Sequence, residues 1–234
     1  MSRALLAALA LATAVSPLAA QTIRSPYRDI VHGRSLTVFY GDLAGDGGSV
    51  GVGPHNGRVY GVRGDIRLGA PLQFGLTLSH AETERLVVSA DDSVANRVDG
   101  PVAEPITMVE AAMQLNLTGK KSWHGLAPFV GVGVGLAIGG EGPGTAVDSS
   151  GYKFGTKFFF SPGLGARFFL GQSFSLRVEA RQLFWKLKYP LVYTEEPAAE
   201  PSSDPDRPNA VLPDGKRDAW SGARELRVGA AFHF

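Results

Sequence analysis

The sequence predicts an all-β fold: an eight-stranded antiparallel up-and-down transmembrane β-barrel. Three observations predict it. Eight segments alternate apolar and other residues with the strand period of two. The gaps between them alternate short and long, as hairpins at the two ends of a barrel require. Arg and Glu share faces from segment to segment opposite clean apolar faces, whereas a soluble β-sandwich turns its polar face outward and its apolar face inward.

The strands follow in order. The first is Ser35 to Gly41, with Leu36, Val38 and Tyr40 on one face; it is the shortest. A Gly-rich gap from Asp42 to Asn56 leads to the second, Arg58 to Leu68. There Tyr60, Val62, Ile66 and Leu68 oppose Arg63, Asp65 and Arg67. Gly69-Ala70-Pro71 reads as a tight turn. The third strand, Leu72 to about Thr83, sets Leu72, Phe74, Leu76 and Leu78 against Gln73, Gly75, Thr77 and Ser79. A long polar gap, Glu84 to Pro105, precedes the fourth, Ile106 to Leu117. Its Val109, Ala111, Met113, Leu115 and Leu117 face away from Glu110, Gln114 and Asn116.

After a short turn at Thr118 to Gly125, the fifth strand runs from Leu126 to Gly139. Val130, Val132, Val134, Leu136 and Ile138 form one face, and Gly131, Gly133, Gly135 and Gly139 the other. A Gly/Pro/Ser gap, Gly140 to Gly151, precedes the sixth, Tyr152 to Phe169. Leu170 to Ser173 turns into the seventh, Phe174 to Tyr189, where Phe174, Leu176, Val178 and Ala180 oppose Arg177, Glu179 and Arg181. Pro190 to Ala219 is acidic and Pro-rich and reads as a flexible surface loop. The eighth strand is Trp220 to Phe234. Trp123, Phe168, Phe174, Phe232 and Phe234 are expected at one rim, and Tyr40, Tyr152, Trp185, Tyr189 and Trp220 at the other, as interfacial girdles.

The amino terminus points to export. Met1-Ser2-Arg3 is basic, Ala4 to Val15 is apolar, and Ser16-Pro17-Leu18-Ala19-Ala20 precedes Gln21. This pattern reads as a cleaved signal peptide, residues 1–20; a membrane helix needs about 20 apolar residues, more than this run provides. Residues 21–34 are then a periplasmic N-terminal segment and residues 35–234 the barrel. The chain has no Cys, which excludes disulfides and thiolate metal sites. A formal net charge of +1 gives no electrostatic case for a nucleic-acid partner. The 30 Gly suit tight turns and close strand approach.

The last eight residues, Arg227 to Phe234, place Val228, Ala230, Phe232 and Phe234 on one face and end in an aromatic. This tail resembles the assembly signal of bacterial outer-membrane β-barrels, with Gly229, Phe232 and Phe234 at its marked positions. With Pro128 to Gly135 and Leu176 to Arg181, the mature chain resembles the small outer-membrane barrel family with an OmpA-like transmembrane domain. The resemblance implies insertion in the bacterial outer membrane with both termini periplasmic. It also implies contact with outer-membrane lipid and lipopolysaccharide, delivery by periplasmic chaperones to the barrel-assembly machinery, and a monomer without a cofactor.

If the apolar faces meet lipid, the opposite faces gather Arg63, Asp65, Arg67, Glu110, Gln114, Asn116, Arg177, Glu179, Arg181, Glu225 and Arg227 inside. Charges in a narrow interior must pair, and the Arg fork suits this. Glu179 and Arg227, on neighbouring strands, are the expected pair. The interior Gly row of the fifth strand is expected to make room for Arg side chains. Three readings of such an interior stand side by side: a polar plug, a narrow gated channel, and a ligand-binding lumen.

His32, His55, His80, His124 and His233 are scattered and set no metal spacing. Ser79, His80 and Glu82 raise a lipid-modifying hydrolase, but Ser79 and His80 project to opposite strand faces. Asp91-Asp92 and Asp204-Pro205-Asp206 read as solvated loop charge. Gly45-Asp46-Gly47-Gly48 lacks the Lys and the helix of a phosphate loop. The expected function is non-enzymatic: a structural or surface-interaction barrel with a polar, plugged interior and long outer loops.

Overall fold

A computed structural model describes residues 25–140, 150–204 and 208–234. Residues 1–20, expected to be a signal peptide, lie outside the described residues, as do Pro205, Asp206 and most of the gap after Gly140.

Ten strands are described: β1 (Tyr27–Asp29), β2 (Arg34–Gly45), β3 (Gly57–Arg67), β4 (Leu72–Val88), β5 (Val98–Asn116), β6 (Lys121–Trp123), β7 (Leu126–Gly139), β8 (Thr156–Phe169), β9 (Phe174–Lys188) and β10 (Asp218–His233). The eight long ones form an antiparallel meander in which β10 returns to β2 and closes the barrel. β1 and β6 pair with each other at the turn end, outside the barrel wall.

The register fixes the barrel's dimensions. Leu36 pairs with Gly64, and the same row runs through Leu76, Ala111, Val134, Phe160, Phe184 and Gly222. The Gly222 carbonyl then accepts from the Asp46 N–H at 3.0 Å. The row thus re-enters its own strand ten residues beyond its start, from Leu36 to Asp46. Eight strands with this shear tilt by about 40° and enclose a lumen that side chains can fill.

Two polarity patterns are stacked along the barrel. In the half nearer the turns, the outward side chains are apolar and exposed, among them Leu36, Val62, Leu76, Val109, Val132, Leu164, Val178 and Val228. The inward ones are polar and buried: Thr37, Arg63, Asp65, Gln73, Glu110, Gln114, Arg177, Glu179 and Arg227. In the half nearer the loops, most of the wall reverses. On β9 the inward residues become Leu183, Trp185 and Leu187 while Lys186 and Lys188 point outward. On β3 the inward residue is Val59 and the outward one Arg58; on β5 Ile106 and Met108 turn inward. β7 and β8 keep Leu136, Ile138, Phe158 and Phe160 outward through this level. The lower half is built for an apolar surrounding of roughly 20–25 Å, and the upper half for water.

This reversal explains where the sequence-based boundaries shift. β4 continues to Val88 and β5 starts at Val98, so much of the expected polar gap is a strand hairpin rising above the barrel. β8 starts at Thr156, because Tyr152 and Phe154 fold inward as core. Tyr152, Trp185 and Tyr189 are buried and so do not belong to an outer girdle; Tyr40 and Trp220 are exposed. Among the described residues, Pro190 to Ala219 is a largely exposed loop that is fastened to the barrel at a few buried positions, Tyr193 and Leu212 among them. A 3-10 turn (Leu191–Thr194) buries Tyr193, whose hydroxyl donates to Val88 O at 3.0 Å. Leu212 N–H donates to Tyr193 O at 2.7 Å.

Candidate functional site

The polar half of the lumen contains one continuous chain of alternating charge. Arg63 Nε donates to Asp65 Oδ1 at 2.7 Å, and Asp65 Oδ2 lies 3.6 Å from Arg177 Nη1. Arg177 donates to Glu179 Oε2 from Nε at 3.0 Å and from Nη2 at 2.8 Å. Arg227, the Cα partner of Glu179, reaches the same oxygen at 3.1 and 2.9 Å. Arg227 Nη1 is 3.6 Å from Glu225 Oε1, and Glu225 Oε2 accepts from Arg181 at 3.2 and 2.6 Å. Arg181 Nη1 ends the chain on Glu110, which also accepts from the Ser161 hydroxyl. Four guanidinium groups and four carboxylates alternate through this chain. Aromatic faces support the cations, with Phe129 4.5 Å from Arg177 Cζ and Phe39 4.6 Å from Arg227 Cζ.

Small residues on the wall make this packing possible. A Cβ at Gly133 would lie 2.7 Å from Glu110 Cδ and 2.6 Å from Ser161 Oγ. Gly163 on β8 leaves room for Arg181, Gly135 for the Phe159 ring and Gly139 for Phe154. The Gly row of β7 therefore seats Glu110, Ser161 and two Phe rings rather than Arg side chains. Gly133→Ala is expected to destabilise the barrel by about 1–3 kcal/mol through overpacking. Urea titration of the refolded protein reads this; an unchanged midpoint contradicts the seating.

Above the charged layer the lumen closes with apolar side chains. Phe39, Leu43, Val59, Ile106, Met108, Phe159, Leu183, Trp185 and Leu187 form a buried cluster. Val52 and Leu212 from the loops join it, with Tyr152, Phe154, Tyr189 and Tyr193. The Trp185 and Phe154 rings meet edge to face, with centroids 5.5 Å apart. The Ser49 N–H donates to the Tyr189 hydroxyl at 3.0 Å, tying the first long loop to the residue that follows β9.

No family model and no curated sequence matches the chain. Solved structures do. The outer membrane protein OprG from Pseudomonas aeruginosa matches with a TM-score of 0.54 and 9% identity, over 90% of this chain and 99% of that one. Neisserial surface protein A matches with a TM-score of 0.53 and 11% identity, over 86% of this chain and 97% of that one. The chain has the fold of the small outer-membrane β-barrels.

Within this outer-membrane barrel fold, most of the sequence-derived interior residues lie together. Arg63, Asp65, Glu110, Arg177, Glu179, Arg181, Glu225 and Arg227 are the eight members of the ion-pair chain, and Gln114 and Asn116 are buried near it. Arg67 is the exception. It sits at the mouth, where Nη1 donates to Ile30 O at 3.0 Å and Nη2 to His32 O at 2.6 Å, so it fastens the N-terminal segment. Its place as a buried cation is taken by Arg167, which bonds Asn116. Sequence reasoning also missed the buried Arg85–Glu104 pair, 2.7 Å, in the raised hairpin. Its signal was there: Arg85 continues the inward face of Ala81 and Thr83.

Gly229, Phe232 and Phe234 lie on the closing strand. Phe232 and Phe234 are exposed and stack with centroids 6.1 Å apart. Phe234 exchanges backbone bonds with Arg34, at 3.1 and 3.3 Å. Gly229 faces inward, and a Cβ there would lie 3.0 Å from Phe39 Cβ, so its small size admits the ring that underlies Arg227.

The Gly45–Gly48 segment is a tight turn, with Gly47 and Gly48 at φ +68° and +72°. Asp46 accepts from Ser221 Oγ at 2.6 Å and from the Gly222 and Gly48 N–H groups, each at 2.9 Å. Partial burial pulls its carboxyl upward, but these hydrogen bonds outweigh burial and hold the pKa below the ordinary Asp value. A carboxylate with a lowered folded pKa adds stability above its unfolded value, about 3.9, and loses it as pH falls through the folded one. Asp46→Asn is therefore expected to flatten the stability–pH curve below about pH 4. Equal acid slopes for the two proteins in urea titrations contradict this.

Proposed function

We propose that the chain is a non-enzymatic outer-membrane barrel whose role is to anchor and display an ordered surface platform. The observation that carries this reading is the filled lumen: an ion-pair chain in one half and an apolar seal in the other. The loops contribute to that seal instead of leaving a mouth. Arg97 Nη1 donates to Asn209 O at 3.0 Å, and Ala199 N–H donates to Asp91 O at 3.1 Å, which joins the β4–β5 hairpin to the last long loop. A rigid, loop-built surface of this kind suits recognition, with outer-membrane lipid and lipopolysaccharide around the belt.

A hydrolase reading gains no support. Ser79 is buried in the lumen, whereas His80 points to the outer wall, bonded to Thr107 at 3.1 Å. Ser175 and His233 do meet, at 2.7 Å, but both are buried and the ring lies against Phe169.

In this reading the turns and both termini are periplasmic, and chaperones and the barrel-assembly machinery read the terminal strand. Deleting Phe234 is expected to lower the protein's level in outer-membrane fractions severalfold; unchanged levels remove the assembly role of the terminal aromatic. Orientation is tested by single cysteines in a chain that has none. On intact cells a membrane-impermeant maleimide should label Val94→Cys and spare Arg28→Cys. The opposite pattern, or labelling of neither, overturns the display reading.

A further inference from the structure

We propose that the turn end of the lumen is a binding site for one small monovalent anion of the chloride class, held by Arg167. The ion-pair chain is neutral within itself, four guanidinium groups against four carboxylates. Arg85, also outside it, is paired with Glu104; Arg167 is a further buried cation with no such partner. Its side chain is 2% exposed, and its hydrogen bond goes to a neutral acceptor, Asn116 Oδ1. Among the described residues no carboxylate forms an ion pair with it. Arg177, Asp65, Arg63 and Arg67 act on it most strongly among the charged groups, and Asp65 is the one anion of these four. Asp65 is engaged by Arg63 through Oδ1 at 2.7 Å, while its Oδ2 lies 3.6 Å from Arg177 and accepts no hydrogen bond, and Asp65 forms no ion pair with Arg167.

An arginine cannot relieve this by releasing its proton. A buried, uncompensated guanidinium is costly, so the balancing charge must come from solution. Donors for it are in place. Arg167 Nε, Asn116 Nδ2, Arg63 Nη2 and Arg177 Nη1 are all buried without a hydrogen-bond acceptor in the protein. Arg67 donates from its two terminal nitrogens to backbone carbonyls at the mouth, and a lumen packed with side chains calls for a small, singly charged ion beside Arg167. Phe129 walls the site, its ring centroid 5.7 Å from Arg167 Cζ. Entry is from the turn end, because the apolar cluster closes the other. The inference needs only the barrel and its charges, not the display role.

The test is a urea titration of the refolded protein in detergent, with chloride exchanged for gluconate at constant ionic strength. Chloride should stabilise saturably, with the unfolding constant falling about 100-fold when chloride reaches 100 times its dissociation constant. Arg167→Gln should fold and lose the dependence. Inorganic phosphate should not substitute. Bromide soaked into crystals of the unaltered protein should give an anomalous peak within hydrogen-bond distance of Arg167 Nε, which keeps the test valid if the variant fails to fold. Stability indifferent to chloride, an Arg167→Gln variant that keeps the response, phosphate acting as well as chloride, or bromide elsewhere each overturns the proposal.

Discussion

Glu179→Ala is expected to lower the unfolding free energy by about 3–5 kcal/mol, the range for removing one partner of a buried ion pair. Glu179 is 4% exposed and its Oε2 receives four hydrogen bonds, two each from Arg177 and Arg227. Alanine leaves both guanidinium groups buried without their shared acceptor. The barrel should still fold, since its wall is held by backbone pairing and by lipid contact. Equilibrium urea unfolding in detergent or lipid measures the loss. Arg227→Met should also destabilise, and the double variant should cost less than the sum, because the residues act through one contact. Strict additivity, or a Glu179→Ala effect under about 1 kcal/mol, contradicts the pairing.

Trp185→Ala carries the second large effect, about 3–5 kcal/mol for removing a buried indole from a packed core. Trp185 has no exposed surface and meets Phe154 edge to face. Trp220 lies on the neighbouring strand, 71% exposed, and its truncation should cost far less. An inward Trp185 should also fluoresce without quenching by aqueous iodide, whereas the exposed Trp220 should be quenched. Equal stability losses, or quenching of Trp185, places the ring outside and removes the seal.

The same tryptophan shows what could be read from sequence. β7, Leu126–Gly139, has the expected limits, because Val130, Val132, Val134 and Leu136 alternate with Gly131, Gly133 and Gly135 and the flanking residues keep the same parity. The inward positions of Glu179, Arg181 and Arg227 follow from the same rule. The rule fails on β9 beyond Arg181, where polarity changes face: Arg177, Glu179 and Arg181 share one parity, Lys186 and Lys188 the other. A chain assumed to face lipid throughout turns Trp185 outward, whereas the change of parity marks a level at which the surroundings change from lipid to water. Arg85 and Glu104 lie above that level, where β4 and β5 carry polar residues on both faces and only the continued parity of Ala81 and Thr83 marks Arg85 as inward. Arg167 lies opposite the face of Phe158, Phe160, Leu164, Ala166 and Phe168 on β8, so the same rule reaches it, but β8 carries no carboxylate to mark it as part of a charged interior.

The most direct test of a filled, closed lumen is planar-bilayer conductance of the refolded protein, after heat-modifiable gel migration has shown that it is folded. A silent barrel is expected at neutral pH, with Trp185→Ala moving it toward conduction more than Trp220→Ala does. Reproducible single-channel steps from the unaltered protein, shifted by changing Glu179 or Arg227, would contradict the seal and make the ion-pair chain a gate.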